Sequence, residues 1–199
     1  MQLVKPFVLA SRSPRRLALL RQIGISPLVV PCDLEEAFDA TLPYAENALR
    51  LSSQKAECAA AGFDDALIVG ADTIVVVEGQ MLGKPVDRRD AVRMLSLLSG
   101  RTHTVYTGFT LLDRPSGSSV GGVESTIVTF RSLPPEEIAS YVESGSPMDK
   151  AGAYGIQDDY GAVFVTRIEG CFYNVVGFPL SRFYTTLSEF QSRLSGRER

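Results

Sequence analysis

The first apolar run is short and continuous, Phe7-Val-Leu-Ala10, and a polar break at Ser11-Arg-Ser13 follows it. Beyond the break, Leu17, Leu20 and Ile23 recur at helical spacing. The pattern predicts a buried strand, a tight turn and a helix, with Ser13 as N-cap and Pro14 in the first helical position, where its missing N–H costs nothing. A second short strand is expected at Val29–Cys32. A long helix should run from Pro43 to about Ala61, with a stripe of small residues (Ala45, Ala48, Leu49, Ala56, Ala59, Ala60) suited to lying close to a sheet. Lys55 borders that stripe. The run Leu67–Asp72 continuing through Thr73–Val77 reads as one strand turning at Glu78-Gly79. Further expected elements are a helix capped by Asp87 and Asp90 and ending at Leu98, and a long hairpin, Thr102–Leu112 with Val120–Phe130. A helix over Pro134–Glu143, a strand over Ala162–Ile168 and a terminal helix from Pro179 complete the reading. Early alternation of strand and helix followed by a long hairpin implies an α/β fold with a mixed sheet.

Composition changes this picture little. The chain of 199 residues is 45% apolar, with a net charge of −3. That charge argues against a nucleic-acid polymer as partner. No apolar run approaches the roughly 20 residues of a membrane span, and no signal-peptide pattern is present, so a cytoplasmic setting and no membrane partner are expected. Cys32, Cys58 and Cys171 are odd in number and scattered, which indicates neither a disulfide framework nor a zinc knuckle.

Charge matters locally. Arg12, Arg15 and Arg16 crowd a helix start whose dipole disfavours cations unless an anion sits between them; a phosphate cradle is the chemical reading and a solvated basic turn the plainer one. Asp72 stands inside Ile68-Val-Gly-Ala-Asp-Thr-Ile-Val-Val-Val77, where a carboxylate is costly unless it is paired, metal-bound or poised for proton transfer. Glu35 and Glu36, in a loop, suit a solvated turn, or a divalent cation if they meet Asp72. Gly83-Lys-Pro85 is not a P-loop, since Pro85 replaces the Ser/Thr, but its neighbours restrain Lys84. The Gly-rich Asp149–Gln157 segment offers close backbone approach, and Gln157 presents both a donor and an acceptor to a base edge. The one histidine, His103, has no metal or triad context. Cations, two or three carboxylates and glycine-rich loops point to phosphoryl chemistry.

In order along nearly the whole chain, several segments resemble the Maf nucleotide pyrophosphatases. They are Leu9-Ala-Ser-Arg-Ser-Pro-Arg-Arg16, the acidic pair ending at Glu36, Gln54-Lys-Ala56, Gly70-Ala-Asp-Thr73, Gly83-Lys-Pro85, Ser99-Gly-Arg-Thr-His103, Asp149–Gln157 and Asn174-Val-Val-Gly-Phe-Pro179. The resemblance implies a single Maf-like domain over 1–199. Its two lobes would share one central mixed, twisted sheet, as in the inosine-triphosphate pyrophosphatases, with the active-site cleft between them. It implies that Ser11, Arg15, Arg16, Lys55 and Lys84 bind a triphosphate and that Glu36 and Asp72 serve a divalent metal (Mg²⁺, Mn²⁺ or Co²⁺). Asp72 would also be the proton acceptor, and base and metal ligand are not separable at this point. Arg15, Thr73 and Gln157 match positions linked to substrate choice. The Gly-Ala-Tyr-Gly-Ile-Gln form is similar to the branch acting on dTTP and UTP, with CTP or modified pyrimidine nucleotides as further candidate substrates, and a homodimer is suggested. A nucleotidyltransferase and a non-catalytic nucleotide-binding regulator of division are the alternatives; the first needs an acceptor, the second does not need Asp72.

Overall fold

The computed structural model describes residues 3–32, 34, 37–157 and 160–197. The elements in chain order are β1 (Phe7–Ala10), α1 (Pro14–Gln22), β2 (Leu28–Val29), α2 (Tyr44–Ala60), β3 (Ala66–Val77), β4 (Gln80–Leu82), α3 (Arg88–Leu98), β5 (Thr102–Arg114), β6 (Ser119–Phe130), α4 (Pro135–Glu143), β7 (Val165–Glu169), α5 (Phe172–Val176) and α6 (Leu180–Arg197). The strands form a seven-stranded sheet in the order β2-β1-β3-β5-β6-β7, with β4 paired to β3. β1 runs parallel to both β2 and β3, and β4 and β7 pair antiparallel to their neighbours, so the sheet is mixed. The chain divides into two compact units, 1–72 with 107–124 and 177–199, and 73–106 with 125–176.

In the first unit, α2 packs through its small residues. A Cβ on Gly70 would clash with the Ser52 carbonyl and stand 2.6 Å from the Ala56 nitrogen, and one on Gly108 would meet the Ala48 backbone at 2.5 Å. Two glycines on the sheet thus let the helix backbone settle against the strands. The core around it is Val8, Ala10, Ile68, Ala56, Ala59 and Ala60. Phe7, Phe109, Phe178 and Phe183 fill the remainder in edge-on and tilted contacts.

In the second unit, Glu78 (φ 49°) and Gly79 (φ 74°) make the two-residue turn between β3 and β4, since two positive φ values match the twist of a hairpin. The Asp87 side chain accepts from the Asp90 N–H and starts α3, as its N-cap position predicts. Leu95, Leu98, Phe130, Tyr154 and Phe164 lie in one buried cluster.

Several expectations need correction. β2 lies at Leu28–Val29 rather than Val29–Cys32, because Pro31 has no N–H to give a ladder. The buried face of α2 takes in Asn47, Leu51 and Ser52 and leaves out Ala45 and Leu49. Tyr160–Phe164 is a 3-10 turn where a strand was expected from Ala162; its apolar residues bring Phe164 inward against Phe130 and Tyr141. α5 is too short for its period to show in sequence. Cys32 and Cys58 form a disulfide, with Cα atoms 6.1 Å apart, where none was expected, because the fold joins positions that sequence spacing does not associate. Among the described residues no helix is long and apolar enough to cross a membrane.

The close approach at Gly70 is testable. Gly70→Ala should destabilise the protein by about 3 kcal/mol in a urea melt, the upper range for overpacking, because the obstructing atoms are backbone. A melt within experimental error of the parent contradicts this packing.

Candidate active site

β1 leads through α1 to β2 on one side of it, and β2 leads through α2 to β3 on the other. The order β2-β1-β3 therefore reverses direction between β1 and β3, and in open α/β sheets ligands bind beyond the strand ends at such a point. Ala10 and Gly70 are register partners there. Ser11 follows the first by one residue and Asp72 the second by two, so the basic turn and the buried carboxylate belong to one locality.

The turn is tightly wired. The Ser13 N–H donates to Ser11 Oγ at 3.2 Å, and Arg16 Nη1 donates to the same oxygen at 3.1 Å. A hydroxyl has two lone pairs and one proton, so these contacts occupy the lone pairs and leave the O–H as what Ser11 offers a ligand. Arg16 is only 9% exposed, and its Nε donates to the Gly177 carbonyl at 2.9 Å. Of the three arginines, Arg12 is exposed, Arg15 half-buried and Arg16 turned inward. Arg16 thus braces the turn against the Gly177 segment, a structural duty that its place in the basic run does not reveal.

Asp72 is 6% exposed, and its Oδ1 lies 2.5 Å from Lys55 Nζ. The ammonium comes from α2, one residue before the Ala56 nitrogen that crowds Gly70, while Asp72 lies two residues beyond Gly70 on the same strand face. The packing that requires glycine at 70 therefore also delivers the cation to the carboxylate.

Either side of the acidic loop, the chain is held to α2. The Cys32–Cys58 disulfide fixes one side. On the other, Asn47 Nδ2 donates to the Asp39 and Leu42 carbonyls at 2.8 and 3.1 Å, Asn47 Oδ1 accepts from the Asp39 N–H at 2.9 Å, and Arg50 donates to the Ala37 carbonyl. Sequence reading missed Asn47 and Arg50; the polar Asn47 at a core-facing position of α2 is the signal that marks them. Glu36 itself, with Asp33 and Glu35, lies outside the described residues.

Thr73, Lys84 and Gln157 belong to the second unit. Thr73 is the single position of β3 that is not buried. Lys84 is exposed, and the Gly83 carbonyl beside it accepts from the Gly152 N–H at 3.0 Å, which ties the lysine's turn to the Gly-rich segment. Residues 152–156 are buried, and Gln157 is half-buried, with its Oε1 shielded from solvent. His103, 2% exposed on β5, places Nε2 at 2.8 Å from the Tyr154 hydroxyl. Burial holds its pKa at about 4, so the ring is neutral over the whole physiological range.

Among the described residues no group of three or more His, Cys, Asp or Glu side chains could hold a metal. Mg²⁺ needs only one or two carboxylates when phosphate oxygens and waters complete its octahedron, so Asp72 with a second acid fits a metal that arrives with a triphosphate.

A profile described as Maf-like protein matches residues 6–190. A dTTP/UTP pyrophosphatase of Carboxydothermus hydrogenoformans is 50% identical over 92% of this chain and 97% of its own. A dTTP/UTP pyrophosphatase of Moorella thermoacetica is 48% identical over 96% and 97%, and one of Syntrophomonas wolfei 50% identical over 90% and 95%.

Lys55→Met should destabilise the fold by about 3 kcal/mol, because it leaves a buried carboxylate uncompensated, and Lys55→Met/Asp72→Asn should recover more than half of that. Strict additivity in urea melts contradicts the pair. His103 is neutral in the fold down to about pH 4, whereas in the unfolded chain it takes a proton below its ordinary 6.5. Its contribution is therefore complete above pH 6.5 and declines by about 3 kcal/mol as pH falls to 4. His103→Gln should lose that part of the acid dependence; an unchanged slope between pH 7 and pH 4 rules it out.

Proposed function

The chain belongs to the Maf family, and from that membership we propose that it is a nucleoside triphosphate pyrophosphatase. It hydrolyses dTTP and UTP to the monophosphate and pyrophosphate by attack of water on the α-phosphorus. The observation that carries this reading is the buried Lys55–Asp72 pair at the β1/β3 reversal, beside a turn whose serine offers a donor.

The triphosphate brings roughly four negative charges, and one cation at 4 Å is worth about 1 kcal/mol in water but about 4 where the effective dielectric is near 20. Ser11, Arg15, Lys55 and Lys84 bind it, with Arg16 holding Ser11 in place. Asp72 accepts the proton of the attacking water and aims its lone pair in line with the leaving pyrophosphate. Lys55, already in contact with Asp72, brings its charge to the phosphate that the water attacks. Glu36 and Asp72 are the residues that would hold a divalent cation, which supplies charge neutralisation and a more acidic water when bound. Arg15, Thr73 and Gln157 choose the base; Gln157 donates to the 4-oxo group of thymine or uracil and accepts from N3–H.

Asp72→Asn should lower kcat for dTTP by about 10²- to 10⁴-fold, the range for a lost general base, with the fold retained. The products, separated by ion exchange after incubation with Mg²⁺ or Mn²⁺ and no acceptor, should be dTMP and pyrophosphate. dTDP and phosphate, or near-parental turnover of the variant, contradict the assignment.

A further inference from the structure

The segment that carries Gln157 is built in a costly way. Its alanine, Ala153, has φ 61°, a left-handed conformation that L residues rarely adopt, directly after Gly152 at φ 70°. Gly152 is pressed on β3: a Cβ there would meet Val75 Cγ1 at 3.1 Å. Two tyrosines then fix the next residues. The Tyr154 hydroxyl meets His103 Nε2 at 2.8 Å, and the Tyr141 hydroxyl accepts from the Gly155 N–H at 3.3 Å. Edge-on ring contacts among His103, Phe130 and Tyr154 lock the group.

Packing alone does not call for these polar atoms. His103 Nδ1 is buried without a hydrogen-bond partner, and a leucine and a phenylalanine in place of His103 and Tyr154 would fill the same cluster with no nitrogen to desolvate. What the pair adds is direction: one hydrogen bond from β5 sets where Tyr154 stands, and through Gly155 and Ile156 where the chain reaches Gln157.

That direction has a chemical use. A glutamine amide is nearly symmetric. One face-to-face orientation donates to O4 and accepts from N3–H of uracil or thymine; turned by 180° it accepts from N4–H and donates to N3 of cytosine. Gln157 alone therefore reads either pyrimidine, and discrimination requires that its approach be fixed. We infer that His103 and Tyr154 are positioning residues for substrate choice, a buried strut that fixes the approach of Gln157 so that it reads a 4-oxo and not a 4-amino pyrimidine. The inference rests on the pyrophosphatase reading above, and it assigns the strut no contact with substrate. The imidazole keeps this role across the neutral range because burial holds it uncharged.

The test is pyrophosphate release from UTP and CTP, and from dTTP and dCTP, by the full chain and by Tyr154→Phe, His103→Leu and His103→Gln, with thermal melts of each. The parent must first release pyrophosphate from dTTP or UTP; if it cleaves no triphosphate, the functional reading fails and the strut's role in choice fails with it. With an active parent, Tyr154→Phe and His103→Leu should raise KM for UTP and dTTP by about tenfold, the scale of one misaligned hydrogen bond, with kcat within about twofold. The UTP-to-CTP preference should shrink by a similar factor. His103→Gln, whose amide can replace Nε2 as the hydrogen-bond partner of the Tyr154 hydroxyl, should restore most of the preference. A lowered melting temperature with the UTP-to-CTP ratio unchanged in all three overturns the inference and leaves the pair a core contact. If His103→Leu does not fold, the near-isosteric Tyr154→Phe decides by the same ratio.

Discussion

The closeness of α2 to β3 at Gly70 is the constraint on which the first unit depends. With no side chain at 70 and small residues at 48, 52 and 56, helix and strand backbones approach until a Cβ has no room. Only then does a lysine stem beside Ala56 reach a carboxylate two residues along the strand. A buried ion pair of this kind is weak support for stability, since desolvation offsets much of the attraction. Its value lies in fixing two opposite charges at the level where parallel strands β1 and β3 end their shared register. The same helix holds the chain at Cys32 through Cys58, and at Ala37 and Asp39 through Arg50 and Asn47.

In the second unit the corresponding constraint falls on the Gly-rich segment. Gly152 is fixed against Val75 and hydrogen-bonded to the turn that bears Lys84, Ala153 is held left-handed, and Tyr154 is tied to His103. A segment fixed at three successive residues has little freedom left to adapt, which suits recognition of a planar base more than loose capture of a phosphate.

How much of this was legible depended on whether the signal was local. The strand–turn–helix at Phe7–Gln22, the hairpin at Glu78-Gly79 and the Asp87 cap were readable because periodicity and capping are written in neighbouring residues. Asp72 was legible as a misfit, a carboxylate in an apolar strand; its partner was only hinted at by the position of Lys55 beside a small-residue stripe. The inward turn of Arg16 was hidden, because its acceptor is the Gly177 carbonyl, 161 positions away in sequence. The Cys32–Cys58 disulfide and the Asn47 clamp were hidden for the same reason, as products of tertiary contact rather than of spacing. His103 has no metal or triad neighbours in sequence, and its packing role is not readable there. Its partner Tyr154 stood within a quoted motif, yet nothing local linked the two.

The central claim is that this site directs a water, through Asp72, at the α-phosphorus. Hydrolysis of dTTP in water enriched in ¹⁸O, with mass analysis of both products, tests it most directly. The account predicts the label in dTMP and unlabelled pyrophosphate. Label in the pyrophosphate would place the attack on the β-phosphorus and contradict the arrangement built around Lys55 and Asp72.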